Sequence, residues 1–100
     1  MVKLSEIFAS KTQAALIEHL LDNRGRFYNQ LALAKTLGVS SSTIARLIEN
    51  LAKLEIVKYE RFNGGVKVIA LNDASEISRI LMNFHSKIKY LEIKRDKEKT

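Results

Sequence analysis

Apolar residues recur at helical spacing in four segments of this chain, and two short β-rich runs separate the third segment from the fourth. The first clear stripe follows Ser10, whose hydroxyl is placed to accept from the backbone N–H of Gln13 at the start of a helix. This helix is predicted to end near Asn23. A short helical turn is predicted before it, over residues 4–8, with Phe8 packed on the core.

Two further helices follow with a tight junction between them. Asn29 can cap the second helix, which is predicted to end at Gly38, where a left-handed residue is expected. Ser40 can cap the third helix, which carries on one side the apolar residues Ile44, Leu47, Ile48, Leu51 and Leu54. A glycine turn between two crossing helices is typical of a helix-turn-helix, with Val39 filling the gap between them.

The two β-rich runs cover residues 56–62 and 66–71. The sequence Asn63-Gly64-Gly65 joins them and predicts a hairpin, because a primed turn needs positive φ at both central positions. A β-stub at residues 27–28 is predicted to complete a small sheet.

A long helix is predicted after the hairpin. Asp73 and Glu76 have the spacing of a capping-box pair ahead of it. The helix is predicted to reach Ile93 and to fray beyond that residue.

Length and composition narrow the function classes. One hundred residues with 46% apolar and 28% charged positions suit one soluble domain. The chain has no cysteine and two histidines, neither of which is expected to bind a metal, so we expect no metal or cofactor. No nucleophilic triad and no glycine-rich phosphate loop can be assembled, which predicts a protein that is not an enzyme. No apolar run approaches the roughly 20 residues of a membrane span, and we expect a cytoplasmic, nucleoid-associated protein.

The positive charge is concentrated in the middle of the chain. The net charge is +6, and residues 24–71 alone carry eight Lys or Arg against three acids, a net of +5. Such an excess favours a polyanionic partner. The third helix lies in this region, and its first turn combines small hydroxyls with free backbone N–H groups, which suits a phosphate contact. Arg46, one turn further on, has the length and fork geometry to reach guanine O6 and N7 in a major groove.

Residues 31–51 resemble the second and recognition helices of the winged helix-turn-helix regulators of bacteria and archaea, the ArsR- and MarR-like superfamily. Residues 54–57 resemble the junction into the wing of that family, with Asn63-Gly64-Gly65 at the wing tip. The resemblance covers residues 4–72, and Glu55 stands where the family commonly has glycine. It implies a mainly α fold with a small β-hairpin wing and a sequence-specific regulator that binds double-stranded DNA. The recognition helix would enter the major groove, and the wing would lie on the backbone or in the minor groove.

This interpretation divides the chain into a DNA-binding domain (1–72), a dimerisation helix (73–95) and a charged tail (96–100). The residues expected to contact DNA are Asn29, Gln30, Lys35, Ser40, Ser41, Ser42, Thr43, Arg46, Asn50, Arg61, Asn63 and Lys67. The last helix carries apolar residues at alternating spacings of three and four, which is typical of a seam between two helices, and predicts a homodimer. The residues expected at that seam are Ile77, Ile80, Leu81, Phe84, Ile88 and Leu91.

A different class of function shares the same fold. Winged helices also serve as protein–protein interaction modules, or as DNA-binding adaptors or scaffolds without regulatory activity. The polar recognition helix and the basic wing favour DNA. Retention on heparin with a steep salt dependence distinguishes the two classes, because each neutralised phosphate releases counterions.

Overall fold

The computed structural model describes residues 3–62 and 67–98, and its elements follow the predicted order. They are α1 (Leu4–Ile7), α2 (Lys11–Asp22), β1 (Tyr28–Asn29), α3 (Gln30–Leu37), α4 (Ser41–Lys53), β2 (Val57–Arg61), β3 (Lys67–Leu71) and α5 (Glu76–Glu98).

The three predicted N-caps of α2, α3 and α4 are confirmed. The side chains of Ser10, Asn29 and Ser40 each accept a hydrogen bond from the backbone N–H three residues further on, at 3.0, 2.7 and 3.2 Å. Each bond satisfies one of the donors that a helix start leaves free.

The predicted cap of α5 was wrong. Ser75, not Asp73, accepts from the backbone N–H of Ser78, at 3.1 Å. Glu76 is the first helical residue, so the residue directly before it holds the capping position. The helix also continues past the predicted end at Ile93 to Glu98.

The three strands form an antiparallel sheet in the order β1-β3-β2. The hairpin pairs Val57 with Leu71 at one end and Arg61 with Lys67 at the other. The β-stub is confirmed with a shift of one residue, since β1 pairs Tyr28 with Ile69. The predicted turn Asn63-Gly64-Gly65 lies outside the described residues.

The core lies where α2, α3, α4 and the inner face of the sheet meet. Its fully buried aliphatic side chains are Leu16, Ile17, Leu20, Leu33, Ile44, Ile48, Leu51, Ile56 and Ile69. A large aliphatic side chain at such a position contributes about 1.5–3 kcal/mol by leaving water, so these residues account for the stability of the scaffold. No helix in the described part of the chain is long and apolar enough to cross a membrane.

The N-terminal turn α1 is held by a different residue than predicted. Ile7 is buried in the core, whereas Phe8 is 42% exposed. The buried side chain of Gln13 donates from Nε2 to the carbonyl oxygens of Glu6 and Ile7, at 2.9 and 2.8 Å. These bonds orient α1 so that Ile7 points inward and Phe8 lies at the surface.

Two left-handed residues shape the ends of α3 and α4. Gly38 has φ 68° and ends α3, and the N–H of Val39 then donates to the carbonyl of Ala34 at 3.0 Å. This closes the helix-turn-helix as predicted, with Val39 packed against the core. Glu55, at the end of α4, has φ 64°. This is a left-handed conformation, which a glycine adopts without strain.

Candidate nucleic-acid interface

Helix α4 has one buried and one open side. Its buried side consists of Ile44, Leu47, Ile48 and Leu51, whose spacing fixes the rotation of the helix against the core. The opposite side exposes Ser42, Arg46, Glu49 and Asn50. Within the described residues, the guanidinium of Arg46 has no hydrogen bond or ion pair. Its five donors are therefore available to a ligand.

Hydroxyl groups cluster at the start of α4. The Oγ of Ser40 lies 3.1 Å from the Oγ of Ser42 and 2.8 Å from the Oγ1 of Thr43. Ser40 and Ser42 are exposed, so the cluster lies at the surface beside the first backbone N–H groups of the helix. Hydroxyls and helix N-terminal N–H groups in this arrangement suit phosphate oxygens.

The residues predicted on and before α3 lie beside this cluster. Gln30 Nε2 donates to the carbonyl oxygen and to the hydroxyl of Ser41, which joins the two helices of the motif. The side chain of Asn29 is used to cap α3. Lys35 is exposed in the last turn of α3.

A groove of about 540 Å³ separates α4 from the wing strands. Ala45 and Glu49 line it on the helix side, and Arg61 and Lys67 line it on the strand side. The groove gives the wing and the recognition helix one shared surface that combines polar, charged and apolar side chains.

The two predicted wing cations differ in their surroundings. Arg61 is exposed at the end of β2. Lys67 is only 8% exposed, and its Nζ lies 4.5 Å from the ring centroid of Tyr59 in a cation–π contact. Arg61 is therefore the wing cation that can reach a ligand without rearrangement, while Asn63 lies outside the described residues.

Only part of the predicted seam on α5 is open. Leu81 is buried and Ile77 is partly buried against the core, so within the single chain both pack inside the domain and not in an open stripe. By contrast, Ile80, Phe84 and Leu91 are 55–62% exposed. An apolar stripe of this kind on a projecting helix usually marks an interface.

A polar contact between α2 and α5 was missed by sequence reasoning. Asp22, the last residue of α2, accepts a hydrogen bond from Nε2 of His85 at 2.8 Å. Arg24 donates from Nη2 to the carbonyl oxygen of Met82 at 2.9 Å and to the Oγ of Ser86 at 3.0 Å. The partners lie about 60 positions apart in the sequence, so no local pattern links them. The one feature that sequence reasoning could have used is the spacing of Met82, His85 and Ser86, which places them on one face of α5. In the part of the chain that the structure describes, no group of three or more His, Asp or Glu side chains could hold a metal ion.

No family model matches the sequence, and no curated protein matches it in a sequence comparison. Solved structures match its fold. ZitR from Lactococcus lactis superimposes with a TM-score of 0.65 and 19% identity, over 97% of this chain and 60% of that chain. The adhesin competence repressor AdcR from Streptococcus pyogenes gives 0.61 and 16% identity, over 89% and 63%. A possible transcriptional regulator from Methanosarcina mazei gives 0.61 and 18% identity, over 94% and 81%.

These matches establish the fold of the chain. It is a winged helix-turn-helix with a small antiparallel sheet and a long C-terminal helix. The predicted fold class is confirmed. This chain spans about three-fifths of the length of ZitR and AdcR.

Proposed function

We propose that this chain is a sequence-specific transcriptional regulator that binds double-stranded DNA as a homodimer, with α4 in the major groove. The open side of α4 is the observation that carries the proposal. It is polar and exposed along its length, while the opposite side is buried in the core. An α-helix fits the major groove of B-DNA, where each base pair presents a distinct pattern of donors and acceptors.

Within this site, Arg46 is the residue we assign to base recognition. Its guanidinium, which has no partner among the described residues, lies on the open side of α4 and can bind guanine O6 and N7 with two parallel hydrogen bonds. Ser42 and Asn50, exposed on the same side, are assigned to neighbouring bases or phosphates. Such contacts specify sequence, whereas phosphate contacts position the protein.

The surrounding residues are assigned to the DNA backbone. The hydroxyls of Ser40 and Thr43 lie at the start of α4, where a phosphate can also accept from backbone N–H groups. Lys35 on α3 and Arg61 on the wing are exposed and are assigned to phosphates, with the wing on the backbone or in the minor groove. These positive charges add affinity that does not depend on sequence.

The homodimer rests on the open stripe of α5. Ile80, Phe84 and Leu91 expose apolar surface to solvent in the single chain, and a second copy of the same helix would cover it. A two-fold dimer would present two copies of α4 to successive major grooves and would read a palindrome. The names of AdcR, a repressor, and of the Methanosarcina protein, a possible transcriptional regulator, support a role in transcription. Such a regulator would act on the nucleoid in the cytoplasm.

Selection of bound sequences from random duplex DNA tests this proposal. We expect enrichment of a palindromic motif whose half-sites are about 10 base pairs apart, or a multiple of that. The Arg46→Ala variant, carried through the same selection, is expected to lose one defined base in each half-site. Binding without any enriched sequence would contradict sequence-specific recognition. No retention on either DNA or heparin would favour a protein–protein interaction module.

A further inference from the structure

The second half of α5 is an arm that leaves the core. Ser78 and Leu81 are buried, and the Oγ of Ser78 donates to the carbonyl oxygen of Ile56 at 3.3 Å. From residue 83 to residue 98, every residue of the helix is partly or fully exposed. At about 1.5 Å per residue, these residues form an arm of about 24 Å.

Polar contacts hold this arm to the domain. Arg24 binds Met82 and Ser86, at 2.9 and 3.0 Å. Asp22 binds His85 at 2.8 Å, and the Nζ of Lys89 lies 3.4 Å from the same carboxylate oxygen. We call these contacts the α2–α5 clamp. The clamp spans two turns of α5. Outside α5, the residues of the described chain that form it are Asp22 and Arg24.

Apolar packing beside the clamp is incomplete. A cavity of about 180 Å³ lies between α2 and α5, and Phe8, Leu21, Phe84 and Ile88 are among the residues that line it. Because the packing on this side is loose, the tilt of the arm relative to the domain depends on the clamp.

The clamp and the open stripe lie on opposite sides of α5. At about 100° per residue, Met82, Ser86 and Lys89 point in one direction. Ile80 and Leu91 of the stripe point roughly 120–180° away from them, whereas Phe84 is turned toward α2 and also lines the cavity. The clamp can therefore stay closed while a second copy covers the stripe.

We propose that Asp22 and Arg24 are positioning residues that set the spacing between the two half-sites read by the dimer. This inference rests on the homodimer of the proposed function. The stripe reaches Leu91, about 12 Å beyond residue 83, so a tilt of about 10° moves this end of the interface by about 2 Å in each copy, or about 4 Å over the two, close to the roughly 3.4 Å rise of one base pair. A change in the tilt of α5 of this size shifts the separation of the two α4 helices by a base-pair step.

The test uses the full chain and a set of duplexes that carry two selected half-sites separated by spacers of different length. The unmodified protein is expected to prefer one spacing. Arg24→Ala and Asp22→Ala are each expected to reduce that preference severalfold, so that spacings one base pair longer or shorter bind almost equally well. Arg26→Ala is the matched control, because Arg26 is exposed and has no contact with α5 among the described residues. Affinity for an isolated half-site is expected to stay the same in all three variants.

A second measurement reports the geometry without DNA. The chain has no cysteine, so Lys53→Cys introduces a single spin-label site at the exposed end of α4. The distance between the two labels in a dimer is expected to be narrowly distributed, and to broaden or shift when Arg24→Ala or Asp22→Ala is added.

The outcomes separate the clamp from the proposed function. Suppose that the unmodified protein prefers one spacing, that both clamp variants retain this preference, and that the label distance is unchanged. This result would overturn the inference about the clamp and leave the proposed function intact. An unmodified protein without any spacing preference would overturn the homodimer and the inference together.

Discussion

The side-chain amide of Gln30 donates to both the carbonyl oxygen and the hydroxyl of Ser41, at 2.9 and 2.8 Å. The sequence predicts these two residues as separate DNA contacts, yet in the structure they bind each other. Because both N–H groups of the amide are used, Gln30 connects the first turn of α3 to the first turn of α4. We infer that Gln30 contributes to recognition by orienting the start of α4.

Replacing Gln30 by alanine is expected to lower the free energy of unfolding by about 1 kcal/mol, since two partly buried hydrogen bonds are lost. Urea denaturation measures this change. Asn50→Ala is the control, because Asn50 is exposed and its side chain has no partner in the described structure. An equal loss in the two variants would mean that the Gln30 bonds do not stabilise the motif.

Arg46→Ala is expected to reduce affinity for the selected operator by about 1–3 kcal/mol and to relax specificity at one base position. The reason is that Arg46 lies on the open side of α4 without a partner in the described part of the chain, so it can bind a guanine edge. Titration of operator and random duplexes measures both effects. If binding to the two duplexes weakened equally, Arg46 would be a phosphate contact.

Arg61 and Lys67 are expected to differ in their effect on salt dependence. Arg61→Ala should flatten the slope of log affinity against log salt by about one, as expected for one lost phosphate contact. Lys67→Met should leave the slope unchanged, because the Lys67 ammonium lies over the Tyr59 ring and the residue is only 8% exposed. Titrations at several salt concentrations measure both slopes. A larger effect of Lys67 would mean that the wing rearranges on DNA.

The double substitution Ile80→Glu and Leu91→Glu is expected to give a folded monomer with much weaker operator binding. Both side chains are exposed on the stripe and lie away from the cavity beside α2. Sedimentation measures the mass, and circular dichroism measures the fold. Tyr90→Glu is the control, since Tyr90 is equally exposed but lines the clamp side of α5. A monomeric unmodified protein at micromolar concentration would contradict the homodimer.

Glu55→Gly is expected to stabilise the domain by up to about 1 kcal/mol. Glu55 has φ 64°, a conformation in which a side chain is strained and a glycine is not. Lys53→Gly, two residues earlier and still within α4, is expected to destabilise by about 1 kcal/mol, because glycine is unfavourable inside a helix. Thermal and urea unfolding measure the two variants side by side. Destabilisation by Glu55→Gly would show that the Glu55 side chain makes a compensating contribution.

The order and bounds of the elements follow from local physics, which is why the sequence predicts them closely. Ser10, Asn29 and Ser40 cap the helices that follow them, since capping depends on residues three positions apart. Gly38 takes the left-handed conformation that its place in the motif requires. Where two local signals compete over a few positions, as with Asp73 and Ser75, the sequence leaves the choice open and the structure selects Ser75.

Some features of the candidate site follow from local sequence patterns, and others depend on the tertiary structure. Periodicity along α4 is enough to place Arg46 on its open side, because burial of Ile44 and Ile48 fixes the rotation of the helix. The burial of Lys67 over Tyr59 and the pairing of Gln30 with Ser41 depend on elements that meet only in three dimensions.

Helix α5 shows most clearly what the sequence alone cannot determine. Its apolar spacing predicts one continuous seam, and periodicity cannot tell which of those residues face the chain's own core. Only the tertiary structure decides that Leu81 is buried within the domain and that Ile80 and Leu91 remain open. The contacts of Asp22 and Arg24 with α5 likewise join residues about 60 positions apart, because packing of α5 on α2 brings them together and no local rule relates them.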